Sequence, residues 1–379
     1  MSVCFVIDDM GFHGGAHVAT FSLIKALAER GVNVDVLAVS VPRKELDVYR
    51  QIAEIRRIGA KKGMLAKVAR RAGMFVFGNW PLCQFENLAE TVQWLEGHDA
   101  VCCISEVSPL RWLVASLGAR CRKVQLIHTD YIGWTQTTPQ SRSVTRFDSL
   151  VYSKMDCIGI VGRRNAIHLK ERFPQLADRI WPFYNLIDVP RNPNGRQERN
   201  KRFTIATVGR PNWGPQKKTE FSVEVAAELK KRGRVFDWTV YGNGPGNHVA
   251  RLKDYARKLG VADCFRFAGF TENVLDAVRN ADVMALFSAY EGCANSIYES
   301  LLCGTPVVAS DVGCAAEQIQ DNVTGRVVHM DVREVADVIE SLIDDGGIVS
   351  RWKKNLLEYK YDNVCALNGL IKLLGGESA

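Results

Sequence analysis

Two acids, Glu291 and Glu299, flank seven residues in the stretch FSAYEGCANSIYESLLCGTPVVASDVGCAAE, which runs from Phe287 to Glu317. The small run Gly292, Cys293, Ala294 follows the first acid, and polar Asn295 and Ser296 open a helix-like segment that ends at Leu302. The preceding VMALF run reads as a buried strand, so the chain is expected to leave a sheet edge, turn at Glu291 and enter a helix near Asn295. The first N–H groups of a helix have no intrahelical acceptor and favour an anion. Glu299 then lies one or two turns on, within reach of hydroxyl groups beside that anion. A diphosphate joined to sugars suits this order of groups. Acids and small residues also serve ordinary strand-turn-helix connections, so the pair gains its weight from the segments around it.

Those segments supply cations and glycine turns. The apolar run TIATVG is followed by RPNWGPQKK, which places Arg210 and then Lys217 or Lys218 after a strand; the distance onward to the helix end at Gly233 favours Lys217. VYGNGPG is a strand with a glycine turn, and FAGFTENV is another strand entering a loop that contains Phe270, Asn273 and Val274. Strands read at TIATVG, DWTVYG, CFRFAG, DVMALF, PVVAS and GRVVH alternate with helical segments, the pattern of a doubly wound parallel sheet. The first half has a similar layout. VCFVIDD leads through MGFHGGAH into an amphipathic helix, and Gly14 and Gly15 let backbone approach a ligand at that helix start. KVQLIHTDYIGW puts His128 just past an apolar strand, at the edge where open parallel sheets bind ligands.

Taken whole, Phe287 to Glu317 resembles the nucleotide-sugar site of retaining glycosyltransferases of family 4 (glycosyl transferases group 1), which have the GT-B fold. VGRPNWGPQKK, VYGNGPG, FAGFTENV and HGGAH resemble segments of the same family. The resemblance implies two Rossmann-like doubly wound domains facing a central cleft, with a C-terminal helix crossing back to the first. The expected boundaries are an acceptor-binding domain at 1–190, a linker at 191–200 rich in Pro, Asn, Gly and charge, a nucleotide-sugar domain at 201–346, and a helical tail at 347–379. It also implies roles: Glu291 on hydroxyls of the transferred sugar, Glu299 on the ribose, and Cys293, Ala294, Asn295 and Ser296 around the distal phosphate. Phe270, Asn273 and Val274 lie beneath the base, Arg210 and Lys217 on the diphosphate, Gly14 and Gly15 opposite, and His128 towards the donor sugar.

Cleaving a sugar-diphosphate bond develops negative charge on the leaving group, which must be stabilised as it forms. No D-x-D motif is present to hold a divalent metal. Arg210, Lys217 and the amides from Cys293 to Ser296 are expected to supply that potential, so neither a metal nor another cofactor is expected. The resemblance implies front-face attack with retention, a donor phosphate oxygen accepting the acceptor's proton. Catalytic roles fall to Arg210, Lys217, Glu291 and His128.

A chain of 379 residues exceeds what one core usually serves, and 47% hydrophobic with 24% charged residues fits a folded protein. No apolar run reaches the roughly 18 residues of a spanning helix, and no cleavable signal opens the chain, so a cytoplasmic location is expected. The eleven cysteines are scattered without a C-x-x-C pair and read as reduced core thiols. The net charge of +7 is locally concentrated: RRIGAKKGMLAKVARR, from Arg56 to Arg71, holds Lys61, Lys62, Lys67, Arg70 and Arg71 and no acid. On a helical wheel Met64, Leu65, Val68, Ala72 and Phe75 share one face and Lys67, Arg70 and Arg71 lie opposite. That pattern suits a helix on an anionic membrane surface, peripheral at the inner face of the cytoplasmic membrane, or equally a surface helix whose apolar side packs on its own domain. Nucleic acid is disfavoured, because no aromatics interleave with the basic residues at stacking spacing.

The sequence therefore reads as a transferase moving a sugar from a UDP-linked donor to a glycan hydroxyl in lipopolysaccharide, capsule or another lipid-linked oligosaccharide. Trp80, Trp112 and Trp134 are candidates to stack on acceptor sugars. Two rivals are a nucleotide-sugar epimerase of the same fold, which needs no acceptor, and a non-catalytic nucleotide-sugar-binding subunit.

Overall fold

The computed structural model describes residues 1–10, 14–40, 42–77, 82–104, 110–137, 145–189 and 202–376. The expected linker 191–200 and Trp80 lie outside these residues. Two compact units form, one from Met1–Leu186 with Asp362–Ala379 and the other from Ile187–Tyr361.

The first unit is built on seven strands: β1 Ser2–Asp9, β2 Asn33–Ser40, β3 Glu54–Arg57, β4 Ala100–Cys103, β5 Arg122–Ile127, β6 Cys157–Val161 and β7 Ile180–Phe183. All neighbours run parallel, in the order β3-β2-β1-β4-β5-β6-β7. Helices cover a parallel sheet on both faces, which is why β4 reads AVCC and is buried at every position instead of alternating. Strand order reverses between β1 and β4, and the loops leaving a sheet at such a reversal diverge and open a crevice at its carboxyl edge. The Gly14–Gly15 turn follows β1 and sits there.

The helix Asn363–Leu373 packs onto this first sheet. Ala366, Leu367, Leu370, Ile371 and Leu373 are its buried face. Gly159 in β6 makes the approach possible: a Cβ there would stand 2.5 Å from Leu126 and 3.0 Å from Leu373. Arg122 Nε donates to the Leu373 carbonyl at 2.9 Å and Arg30 to Asn368 Oδ1 at 2.7 Å, holding the helix at its C-terminal end and its middle. The preceding helix, Gly346–Leu356, belongs to the second unit, where Trp352 Nε1 donates to the Asn322 carbonyl at 2.8 Å.

The second unit carries six strands: β8 Phe203–Val208, β9 Phe236–Tyr241, β10 Phe265–Gly269, β11 Val283–Leu286, β12 Val307–Ser310 and β13 Gly325–Val328. They are parallel in the order β10-β9-β8-β11-β12-β13, which repeats the first six positions of the first sheet. The reversal falls between β8 and β11. The loops that leave it are the ones carrying Arg210 and Glu291.

One buried polar cluster holds the helical layer of the first unit together. Arg111 and Asp148 are both fully buried and form an ion pair, and Tyr131 donates its hydroxyl to Asp148 Oδ2 at 2.6 Å. Burial pushes the Asp148 carboxyl above the usual range even though Arg111 opposes it. Trp112 and Trp134 lie partly buried against the same core, Trp112 edge-on to Phe147 and Trp134 edge-on to Tyr131. Removing one partner of a buried ion pair leaves the other uncompensated, so Arg111→Met is predicted to cost about 3–5 kcal/mol. Urea unfolding checks this, and a loss below about 1 kcal/mol, the median for an exposed pair, would contradict it.

Candidate active site

At the carboxyl edge of the second sheet, adjoining loops meet backbone to backbone. Gly209 leaves β8 and Gly242 leaves β9, and a Cβ on Gly242 (φ +139°) would stand 2.1 Å from the Gly209 carbonyl oxygen. Two residues on, a Cβ on Gly244 would stand 1.9 Å from the Pro211 carbonyl oxygen. Gly242 and Gly244 of VYGNGPG thus seat the loop that carries Arg210. Beneath that loop, Trp238 Nε1 donates to Thr207 Oγ1 at 3.0 Å, and Thr207 donates to the Ala285 carbonyl at 2.7 Å. This chain ties the ends of β8, β9 and β11 together.

The same device holds the Glu291 turn. A Cβ on Gly313 (φ +52°) would stand 2.1 Å from the Glu291 carbonyl oxygen and 2.4 Å from that of Gly292. Cys314 N–H donates to the Gly292 carbonyl at 3.0 Å, and Gln318 Nε2 donates to the Ala294 carbonyl at 2.9 Å. Ser288 and Ser310 exchange hydrogen bonds at 3.0 and 2.9 Å across the ends of β11 and β12. The chain leaves this clamp directly into the helix Asn295–Leu302. No side chain caps that helix and no acid lies in its first turn. The positive end of its dipole is thus not offset by a capping side chain or by an acid in the first turn.

Lys217 reaches this point from the β8 side. Its Nζ lies 2.6 Å from Glu291 Oε1, its chain passes 3.8 Å from where a Gly209 Cβ would be, and the Gln216 carbonyl accepts from Ala289 N–H at 2.8 Å. Lys218 turns back to its own helix, 3.8 Å from Glu220. Glu291 is buried, Cys293 and Ala294 are buried, and Asn295 and Ser296 are partly exposed. Arg210 is exposed on the loop after β8. Glu299 is partly buried, and its carboxylate has no hydrogen-bond or ion-pair partner among the described residues; burial alone pushes it above the ordinary carboxylate range.

Phe270, Asn273 and Val274 lie in the loop after β10, three strands from β11. Phe270 is 69% exposed, and its N–H donates to Asn243 Oδ1 at 3.1 Å. Asn273 stands at the start of the helix Val274–Arg279. With strands about 4.8 Å apart, the Phe270 loop and the Glu291 turn are separated by roughly 14 Å along the sheet edge. An elongated ligand fits that spacing, one end by Phe270 and the other by the start of the helix Asn295–Leu302.

The first unit places its own candidates at its carboxyl edge. Gly14 precedes the helix Gly15–Glu29, and no atom lies within 4 Å of where a Gly15 Cβ would be. His128 follows β5, its ring edge-on to Phe183 and its Nδ1 3.2 Å from Asn185 Oδ1. Burial lowers the His128 pKa to about 4, Asn185 opposes that shift, and His17 adds to it. The imidazole is therefore neutral near pH 7. With Nδ1 donating to Asn185, Nε2 is buried, has no partner among the described residues and is left as an acceptor.

Sequence reasoning passed over Asn243, Gln318 and His17. Asn243 sits in a glycine turn that was read only as backbone, Gln318 in a four-residue helix too short to show periodicity, and His17 inside HGGAH. Among the described residues no three His, Cys, Asp or Glu side chains are grouped to hold a metal ion, and no helix is long and apolar enough to cross a membrane. The eleven cysteines are free thiols, with Cys83 and Cys365 exposed and the others buried.

Two doubly wound parallel sheets of this order, with a last helix returning to the first, define the GT-B class. The Anabaena protein Alr3699/HepE, solved with UDP, aligns over 99% of this chain and 100% of its own, with a TM-score of 0.76 at 18% identity. Residues 202–345, within the second unit, match the family described as Glycosyl transferases group 1. Alpha-D-kanosaminyltransferase of Streptomyces kanamyceticus is 32% identical over 143 residues, 37% of this chain and 36% of its own length. The lipopolysaccharide core biosynthesis mannosyltransferase LpsB of Rhizobium meliloti is 32% identical over 117 residues, 29% of this chain and 33% of its own. The chain thus spans about a third of the length of these curated relatives.

The glycine contacts make a prediction that a free surface glycine does not share. Gly242→Ala and Gly313→Ala force a loop apart and are expected to cost about 1–3 kcal/mol in urea unfolding. Gly246→Ala, with no atom within 4 Å, should unfold as wild type. Equal stability in all three would mean the loops are not clamped by these glycines.

Proposed function

We propose that this protein is a retaining glycosyltransferase that moves a sugar from a nucleotide diphosphate donor, UDP-linked, to a hydroxyl of a glycan. The observation that carries the reading is the meeting of Lys217, Glu291 and the uncapped start of the helix Asn295–Leu302 at one topological reversal. A cation, a sugar-hydroxyl acceptor and an anion-favouring helix end stand there together. HepE has been solved with UDP-glucose, which supports a UDP-linked donor. LpsB acts in lipopolysaccharide core biosynthesis by its name, which supports a lipid-linked glycan as acceptor.

In this reading the distal phosphate sits on the amides of Cys293 to Ser296, and Arg210 and Lys217 neutralise the charge that develops as the sugar leaves. A phosphate at the helix start draws Lys217 off Glu291, whose carboxylate then receives hydroxyls of the transferred sugar. Glu299 accepts from the ribose, and the base lies over Phe270, Asn273 and Val274. His128, neutral, accepts from a hydroxyl of the donor sugar, and Gly14 and Gly15 leave room for the donor. Fixed cations and helix amides take the role that a bound metal has in D-x-D enzymes, so transfer is expected to survive chelation with EDTA. The attacking hydroxyl gives its proton to a donor phosphate oxygen on the face the leaving group departs from, which retains configuration.

The test is transfer measured across a panel of nucleotide sugars with Lys217→Ala and Glu299→Gln. Removing one preorganised donor costs about a hundredfold in kcat, the expected result for Lys217→Ala. Glu299→Gln should weaken UDP binding about tenfold to a hundredfold, the worth of hydrogen bonds to a charged group, and abolish its acid sensitivity. In wild type that affinity should fall on acidification, beginning above the ordinary carboxyl value of 4.5 because the folded pKa is raised. Across that window the folded state holds the extra proton on Glu299, so Glu299 itself adds stability as pH falls, and circular dichroism at each pH separates the loss of binding from unfolding. Unchanged transfer in both variants would refute the assignment.

A further inference from the structure

The helix Met64–Phe77 shows its apolar side to solvent. Met64 is 82% exposed, Leu65 87% and Val68 58%, and no other large apolar side chain among the described residues is as exposed as the first two. The inward stripe is made of small residues: Ala66 at 8% and Gly73 are buried, and Ala69 is partly buried, spaced three and four apart as one helical face. The helix therefore rests on alanine and glycine and presents Met64, Leu65, Val68 and Ala72 outward, the reverse of a surface helix that packs its apolar side on its own domain.

Cations border the exposed stripe. Lys61 and Lys62 precede the helix, Lys67 and Arg71 flank the stripe on one side, and all four are exposed. None of these four forms an ion pair with a described residue, and the segment from Arg56 to Phe77 contains no acid. Arg70 points to the partly buried side and has an interaction of its own. An apolar stripe with a one-sided cationic border is complementary to a surface that is negative outside and hydrocarbon a few ångströms within. A soluble acidic partner would match the cations and leave Met64 and Leu65 in water. A polynucleotide would need stacking aromatics, and the exposed residues here are aliphatic.

We propose that the outer face of this helix seats the protein on an anionic lipid bilayer, with Met64, Leu65 and Val68 entering the acyl boundary and Lys61, Lys62, Lys67 and Arg71 among the headgroups. The inference does not rest on sugar transfer, because its readout needs no donor.

Sedimentation of the full chain with vesicles tests it, comparing phosphatidylcholine alone with phosphatidylcholine mixed with phosphatidylglycerol. Wild type should pellet with the mixed vesicles, stay in solution with the neutral ones, and be released by high salt in part. Lys67→Gln and Arg71→Gln should each weaken partitioning about fivefold. Leu65→Ser with Val68→Ser should weaken it about tenfold or more at unchanged charge. These side chains are exposed, so the variants should keep the wild-type circular dichroism and melting temperature. Overturning results are wild type left in solution with the mixed vesicles, variants that pellet as wild type does, or loss through the charge variants alone with Leu65→Ser and Val68→Ser unaffected, which would point to a soluble anionic partner.

Discussion

Backbone touches backbone at the carboxyl edge of the second sheet, and glycine is what allows it. Gly242 closes on Gly209, Gly244 on Pro211, and Gly313 on Glu291 and Gly292, each at a distance that a Cβ would bring to about van der Waals overlap or worse. These contacts fix loops that would otherwise be free. Because of them the Lys217 ammonium, the Glu291 carboxylate and the first amides of the helix Asn295–Leu302 have defined places without a side chain capping that helix. Preorganisation of this kind is what electrostatic stabilisation of a leaving group requires, since groups that must first reorganise contribute little.

The sheet order sets where those loops can be. A doubly wound sheet opens only where its strand order reverses, and in the second unit that point lies between β8 and β11. The loops at the reversal bear Arg210 and Glu291, while the loop after β10 is displaced by the width of three strand spacings. The separation of the two loops follows from topology before any side chain is considered; Lys217 and Glu291 then place charge at one end and Phe270 an exposed aromatic at the other. In the first unit the same reversal lies beside β1, whose following turn holds Gly14 and Gly15. A buried neutral imidazole, His128, stands at the end of β5.

How much of this the sequence discloses depends on whether a residue's role is local. The EGCANSIYE turn is legible because strand, small residues, polar helix start and second acid follow one another in the chain, and the structure places the helix at Asn295 as that order implies. The alternation of apolar runs gives the parallel sheets for the same reason, since a strand buried on both faces has to be apolar throughout. The choice between Lys217 and Lys218 is not local. It turns on which side chain faces Glu291 across the sheet edge, and adjacent residues at a helix start point in different directions. Gln318 and Asn243 act on segments 24 and 27 residues away, and nothing in their own neighbourhood marks them. The basic helix shows the limit most clearly: a wheel gives the same amphipathic pattern whether the apolar side faces in or out, and only the burial of Ala66 and Gly73 tells the two apart.

The central claim is that the turn from Glu291 to Ser296, with Lys217, is a nucleoside diphosphate site. A crystal structure of the protein with UDP tests it most directly. The account predicts the distal phosphate on the amides of Cys293 to Ser296, Lys217 Nζ moved from Glu291 to a phosphate oxygen, and the ribose hydroxyls on Glu299. A nucleotide bound elsewhere, or one that leaves the Lys217–Glu291 pair intact without phosphate contact to the helix start, would contradict it.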